Sequence, residues 1–474
     1  MIFKFRLFIC FVFLIFNLTA QVDKYENTNH IYQKNIRTVK FHLSGLPLST
    51  PMVNLGSSTT LNLSFDDIDA DAKNYVYTIQ LCNADWTINK GLTTFEYLKG
   101  FDEDEIDNYR FSQNTLTSFT NYKLSIPNNN MSWTKSGNYV LKVYEDEDER
   151  RLVLTRRFMV AEPLMTIDSK MNLPVVVSNQ RTHQEIDFVV YHKGIPVRSP
   201  QSEIQAVVMQ NGRWDNALTG LTPLFVKEDE MSFDYQNKIV FSASKEWRMA
   251  DVRSYETYLR GIKNIKRVDE GHDVFLTIDE KRGYDPYFFF ADVNGKFLVE
   301  NFDRTFLNGR RFPSLADTLI FAGEEFTDQE RAQEKARILQ QQEIHREELD
   351  REQELQDVIS DYALVYFNLE VSNEVYGADV YIFGELSDWE IKDEFKMEYN
   401  PKKRMYENQI FLKQGFYNYQ YACIHENKPN EIDLEELEGN WFETENDYLI
   451  MVYYRAFGQR YDRLVGVRTF SSVR

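Results

Sequence analysis

The sequence predicts an all-β protein: three consecutive β-sandwich, immunoglobulin-like domains with one charged helical insertion. Short segments alternate apolar and polar residues with period two, as in "YVYTIQL" (75–81), "EIDFVVY" (185–191), "ADVYIFG" (378–384) and "FYNYQYA" (416–422). Turn-forming clusters separate them, among them "PNNN" (127–130), "QNG" (210–212) and "NG" (294–295). One stretch, 327–360, carries neither Gly nor Pro and is rich in Glu, Gln, Arg, Ala and Leu, all good helix formers.

The first twenty residues read as a secretory signal. Lys4 and Arg6 precede an apolar run, Leu7 to Phe16, that is shorter than the roughly 20 residues a transmembrane helix needs. Cleavage after Ala20 is the expected processing step, and Cys10 lies mid-core, where no lipid anchor is expected. Loss of Lys4 and Arg6 takes the formal charge from −20 to −22. So acidic a surface repels nucleic acid and anionic lipid. Only Cys82 and Cys423 then remain, and a chain able to bury several cores needs no disulfide, so both are expected as buried thiols.

The first sandwich is expected over 21–162, ending at "ERRLVLTRRFMVAEP", with Pro163 as boundary; the second over 163–303. A linker with the charged helix follows over 304–360, and a third sandwich over 361–474. Within the helix, Thr327 or Asp328 offers an N-cap, and Glu334/Arg337 and Glu347/Arg351 sit at supportive spacings. Its apolar residues form a thin, drifting stripe, so most of it is expected to face water.

Chemical motifs are sparse. "DDIDADAK" (66–73) spaces Asp67, Asp69 and Asp71 like the start of a calcium loop, but Ala72 stands where the sharp turn needs Gly, and the closing acid is missing. The seven histidines show no metal-ligand spacing. No nucleophile elbow, Walker A loop or dinucleotide fingerprint is present. The reading is therefore no enzyme, no catalytic residue, no metal, no cofactor and no small-molecule substrate.

The stretch "LCNADWTINKGLTTFEYLKGF" (81–101) remains to be explained. Cys82 and Trp86 read as core residues, with Asp85 and Glu96 tying loops to backbone amides. Trp214 and Trp389 are further structural anchors. The aromatics Phe95, Tyr97, Phe101 and Tyr109 suit either a packed loop or a contact loop for a partner, since Tyr and Phe bury much area for little entropy.

"LCNADW", "EYLKGF", "YRFSQNT", "SGNYVLKVYEDED" and "LTRRFMV" together resemble the N-terminal domain of the type IX secretion system plug protein family of the Bacteroidetes. "QNGRWDNA", "DYALVYF", "LKQGFYNYQY", "EGNWFETENDYLIMVYYR" and "GQRYDRLVG" extend the likeness over nearly all the chain beyond the signal. The chain departs from the pattern at "FSASKEWRMADVRS", where the family tends to place a glycine-asparagine pair, and in the charged helix. The resemblance implies a non-catalytic periplasmic protein that docks on the periplasmic opening of an SprA-type outer-membrane translocon barrel and seals it when no cargo is present. A rival reading rests on "VYIFGELSDW" (380–389) with "LKQGFYNYQY", which resemble the sandwich of glycogen-binding modules. There Trp389 matches one sugar-stacking Trp, while Gln420 replaces the usual Lys and a second Trp is absent.

Overall fold

A computed structural model describes residues 27–146, 150–283, 285–303, 337, 340 and 344–472. The signal sequence, most of the acidic run 144–151 beyond Asp146, and the N-terminal half of the charged segment lie outside the described residues. Among those described, strands dominate and pair into three two-layered bodies.

In the first sandwich, Arg151–Ala161, Gly137–Glu145 and Tyr75–Cys82 form the centre of one antiparallel sheet, with Glu103–Glu105 at its edge. The facing sheet runs Ile36–Leu43, Leu61–Asp67, Thr120–Ile126 and Tyr109–Phe111. Alternation directs Leu61, Leu63 and Phe65 of one sheet and Ile79, Tyr139 and Leu141 of the other into a shared core. Phe65, Tyr75 and Tyr122 meet there with ring centroids 4.7–5.3 Å apart.

The chain then interleaves, and here the structure differs from the expected boundaries. The second sandwich takes its first sheet from Thr166–Asn172, His183–Tyr191 and short strands up to Ser242. Its second sheet pairs Ile204–Gln210 with Asp447–Tyr454, and that strand with Arg463–Ser471. The C-terminal strands assigned by sequence to the third sandwich thus complete the second. In return, Arg248–Asp251 and Phe297–Val299 flank Gly415–His425, and Gly271–Leu276 runs parallel to Tyr362–Glu370, so these three strands of the expected second sandwich belong to the third. Period-two patterning says which face of a strand is buried but not which distant strand it pairs with. Contiguity was the only available guide, and the chain leaves and re-enters the second sandwich.

The sandwiches are joined by buried polar contacts as well as by short linkers. Lys413 of the third sandwich reaches Asp66 of the first at 2.5 Å, both 1% exposed, and Tyr362 donates to the same carboxylate at 2.6 Å. The third sandwich buries a second network, where Glu438 accepts from Arg248 at 2.9 Å and from Arg282 at 2.8 Å. Burial alone would raise the Glu438 carboxyl, but the two guanidiniums overcome it and hold the group at about 2.

The charged helix corrects a second expectation. Its described core, Arg346–Ile359, lies against the first sandwich with Gln356, Asp357 and Val358 buried. Asp350 accepts from Asn62 at 2.6 Å and from Lys123 at 3.2 Å; Glu354 accepts from Lys123 at 2.7 Å and Arg110 at 3.2 Å; Asp357 accepts from Ser64 at 3.0 Å. The side chain of Gln356 accepts from the Asn301 amide at 2.8 Å, tying the same helix to the third sandwich. A thin apolar stripe signals exposure only when the opposite surface is apolar. Here the opposite surface is polar, and charge complementarity replaces hydrophobic contact.

Candidate partner-docking surface

Asn83 to Asn89 form a tight, internally bonded turn. Trp86 takes a left-handed backbone (φ 66°), Asp85 accepts from the Thr87 amide at 3.0 Å, and Asn89 donates to Asn83 at 2.8 Å. The turn is fastened to the C-terminal hairpin: the Ala84 amide donates to Asp462 at 2.8 Å, and Arg455 bridges Asp462 and Asn83. Cys82 and Cys423 are both fully buried and are not joined in a disulfide. Trp86 is 5% exposed and packs edge-on to Trp214 at 4.8 Å, with the Arg157 guanidinium 4.4 Å from its ring.

The aromatics of 95–111 divide. Thr93 and Glu96 form a capping box around the single turn Thr94–Tyr97, the Glu96 carboxylate accepting from the Thr93 amide at 2.8 Å. That bond, helped by Arg460, pulls the partly exposed Glu96 carboxyl down to about 2. Residues two apart on a helix point to nearly opposite faces. Phe95 accordingly points outward, 82% exposed, while Tyr97 points inward at 6% and joins the core beside Tyr139. Tyr97, expected among the contact residues, is therefore a core residue. The expectation treated the stretch as loop and missed the helical turn.

Gly100 (φ 101°) follows, and any side chain there would collide with the Asn130 carbonyl, leaving a Cβ 2.0 Å from its oxygen. The close pairing aims Phe101 outward at 61% exposure. Tyr109 and Phe111 stand at 42% and 53% on the edge strand of the facing sheet, whereas Phe119 and Tyr122 are buried. Phe95, Phe101, Tyr109 and Phe111 are thus presented on a rigid scaffold. Sequence reasoning did not single out Phe457, 91% exposed on the C-terminal hairpin whose Arg460 contacts Glu96. An isolated aromatic in a polar loop gives no periodic signal.

The remaining candidates resolve as structure. Lys73 sits among Asp67, Asp69 and Asp71, 2.9 Å from the first and 3.9 Å from the last, so the cation of this loop is the protein's own ammonium. Trp389 is half-buried, edge-on to Trp247 at 5.5 Å and to Phe383 at 5.7 Å, with Arg213 over its ring at 5.3 Å. Gln420 is fully buried and donates to the Lys245 carbonyl at 2.6 Å. Neither residue offers the open platform that sugar stacking requires. Where the three sandwiches meet, a cavity of about 270 Å³ is lined by Arg156, Arg157, Trp214 and Trp389 among others, a junction that no local sequence pattern announces.

Fold and surface together define a multi-sandwich β-protein that presents aromatic side chains on rigid edges. Residues 36–162 match the family model described as the type 9 secretion system plug protein 1st domain, so the first sandwich belongs to that family and the chain is associated with type IX secretion. The chain is also similar over 94% of its length to a hypothetical protein from Parabacteroides merdae, with a TM-score of 0.79 and 28% identity. Its crystal structure at 2.30 Å is covered over 99% of that chain. No curated protein matches the sequence.

Proposed function

We propose that the protein is a non-catalytic periplasmic plug of the type IX secretion system. It docks on the periplasmic opening of the SprA-type outer-membrane translocon barrel and seals it when no cargo is present. The match of residues 36–162 to the plug protein domain carries this reading. The exposed Phe95, Phe101 and Tyr109 support it physically, because aromatic side chains fixed on a rigid edge act as interface anchors worth about 1–2 kcal/mol or more each. No helix among the described residues is long and apolar enough to cross a membrane, so peripheral association through such a surface is the mode proposed.

The test is a pull-down from detergent-solubilised outer membrane with the tagged chain beginning at Gln21. A very large barrel protein is expected to co-purify, preferentially without cargo, and Phe95→Ala with Phe101→Ala is expected to weaken its capture. Loss of docking in cells is expected to sensitise them to vancomycin while secretion itself continues. If no barrel is captured, the docking role is refuted. If capture survives both substitutions and Tyr109→Ala as well, the contact lies on another sandwich.

A further inference from the structure

We infer a divalent-metal site, suited to Zn²⁺, formed by His425, Asp433 and Glu436 at the end of the third sandwich. It goes beyond the proposed docking function and does not depend on it. The candidate ligand atoms of the three side chains all lie within 4.8 Å of one another. His425 Nε2 stands 3.4 Å from an Asp433 oxygen and 3.2 Å from a Glu436 oxygen. Zinc bonds of about 2.0–2.1 Å at tetrahedral angles place neighbouring ligand atoms about 3.3–3.4 Å apart, so both distances already match the edges of such a tetrahedron. Both approaches are longer than the roughly 2.7–2.9 Å of a charge-assisted hydrogen bond from the imidazole.

The scaffold holds these groups in place. His425 ends the strand Gly415–His425, which lies in the sandwich core for most of its length. Asp433 is fixed opposite it by paired backbone bonds with Cys423, at 2.7 and 3.0 Å. Its Oδ1 accepts from the amides of Glu435 at 2.8 Å and Glu436 at 3.2 Å, which leaves Oδ2 to face the imidazole. Such bonds behind a ligand orient it and tune its affinity. Glu436 is about one-third exposed, so its carboxylate has room to close the remaining edge. One neutral imidazole and two carboxylates balance the charge of a divalent ion and leave a fourth position for water. Ca²⁺, which takes six to eight oxygens, fits this small mixed donor set poorly.

The chain from Gln21, purified without a histidine tag and stripped of metal, would be dialysed against Zn²⁺ alone. One tight equivalent per chain is expected. His425→Ala and Glu436→Gln should each weaken it about tenfold or more. Asp433→Asn, which keeps the acceptor for the two amides, should weaken it comparably while leaving circular dichroism and melting of the metal-free protein unchanged. Co²⁺ in place of Zn²⁺ should give the intense visible absorption of a tetrahedral site. The inference is overturned if no tight equivalent binds, if all three variants retain it unchanged, or if bound Co²⁺ shows only weak octahedral absorption.

Discussion

Lys123 tests whether the charged helix is held to the first sandwich by its acids. Its ammonium lies 3.2 Å from Asp350 and 2.7 Å from Glu354, with its own side chain 10% exposed and the two carboxylates 23% and 25% exposed. Lys123→Met keeps the aliphatic bulk and removes the charge. Hydrogen bonds to charged groups contribute about 1.5–3 kcal/mol, and removing one partner of a fully buried pair costs about 3–5 kcal/mol. The carboxylates remain partly hydrated, and Asn62 and Arg110 still serve them, so the lower range applies: about 2 kcal/mol for releasing the helix. Lys403→Ala is the control. Its pair with Glu407 is exposed at 57% and 30%, so about 0.2–1 kcal/mol is expected. Native-state hydrogen exchange at the amides of Arg346–Ile359 reads the difference, since about 2 kcal/mol of easier local opening speeds exchange roughly 30-fold. A change below about threefold in Lys123→Met, no greater than in the control, would show that the acids do not anchor the helix.

Two further outcomes follow from burial. Tyr97→Ala should lower stability by about 3–5 kcal/mol in urea titrations because it empties a core position, while Phe95→Ala and Phe101→Ala should stay within about 0.5 kcal/mol. Equal effects on all three would contradict the inward and outward assignment. His42, on the face that meets the helix, is pushed down to about 4 by burial, which outweighs the upward pull of the Leu43 carbonyl; Lys40 adds to the lowering, and Asp357 and Asp350 oppose it. Because this folded value lies below the unfolded one, its contribution is fully present above pH 6.5 and is lost as pH falls towards 4. The loss is about 3 kcal/mol. In His42→Asn the melting temperature should fall less steeply over that interval, and an unchanged slope would remove His42 from the acid response.

Much of the fold was legible because apolar and polar residues alternate along many strands, even where the polar ones are buried too, as Asn418 and Gln420 are. "YVYTIQL" and "FYNYQYA" became strands where the alternation placed them. Cys82 and Trp86 were legible as core for the same reason of local context. Pairing was not. Ile204–Gln210 meets Asp447–Tyr454 across more than two hundred residues, and a sequence carries no local mark of so distant a partner. The docking of the helix escaped because its contact surface is made of carboxylates, residues that ordinarily signal solvent. Tyr97 escaped because a single helical turn is too short to show a period, although Thr93 and Glu96 spell its capping box. His425, Asp433 and Glu436 escaped because a hairpin, not a compact motif, brings them together.

Interleaving also bears on the proposed sealing role. A plug of three sandwiches hinged on linkers would change shape by thermal bending, and a seal requires a fixed outline. In this chain the second sandwich cannot separate from the third without straining both strand connections between them. The first is held to the third by Lys413 and Asp66, an ion pair whose separation would leave two uncompensated buried charges. The helix adds a strap, since its acids bind the first sandwich while Gln356 reaches Asn301 in the third. Rigidity of this kind lowers the entropy lost on docking and concentrates binding on the exposed aromatic edge. Lys413→Met should therefore weaken docking even though Lys413 is buried, because the exposed aromatics would no longer be presented in one orientation.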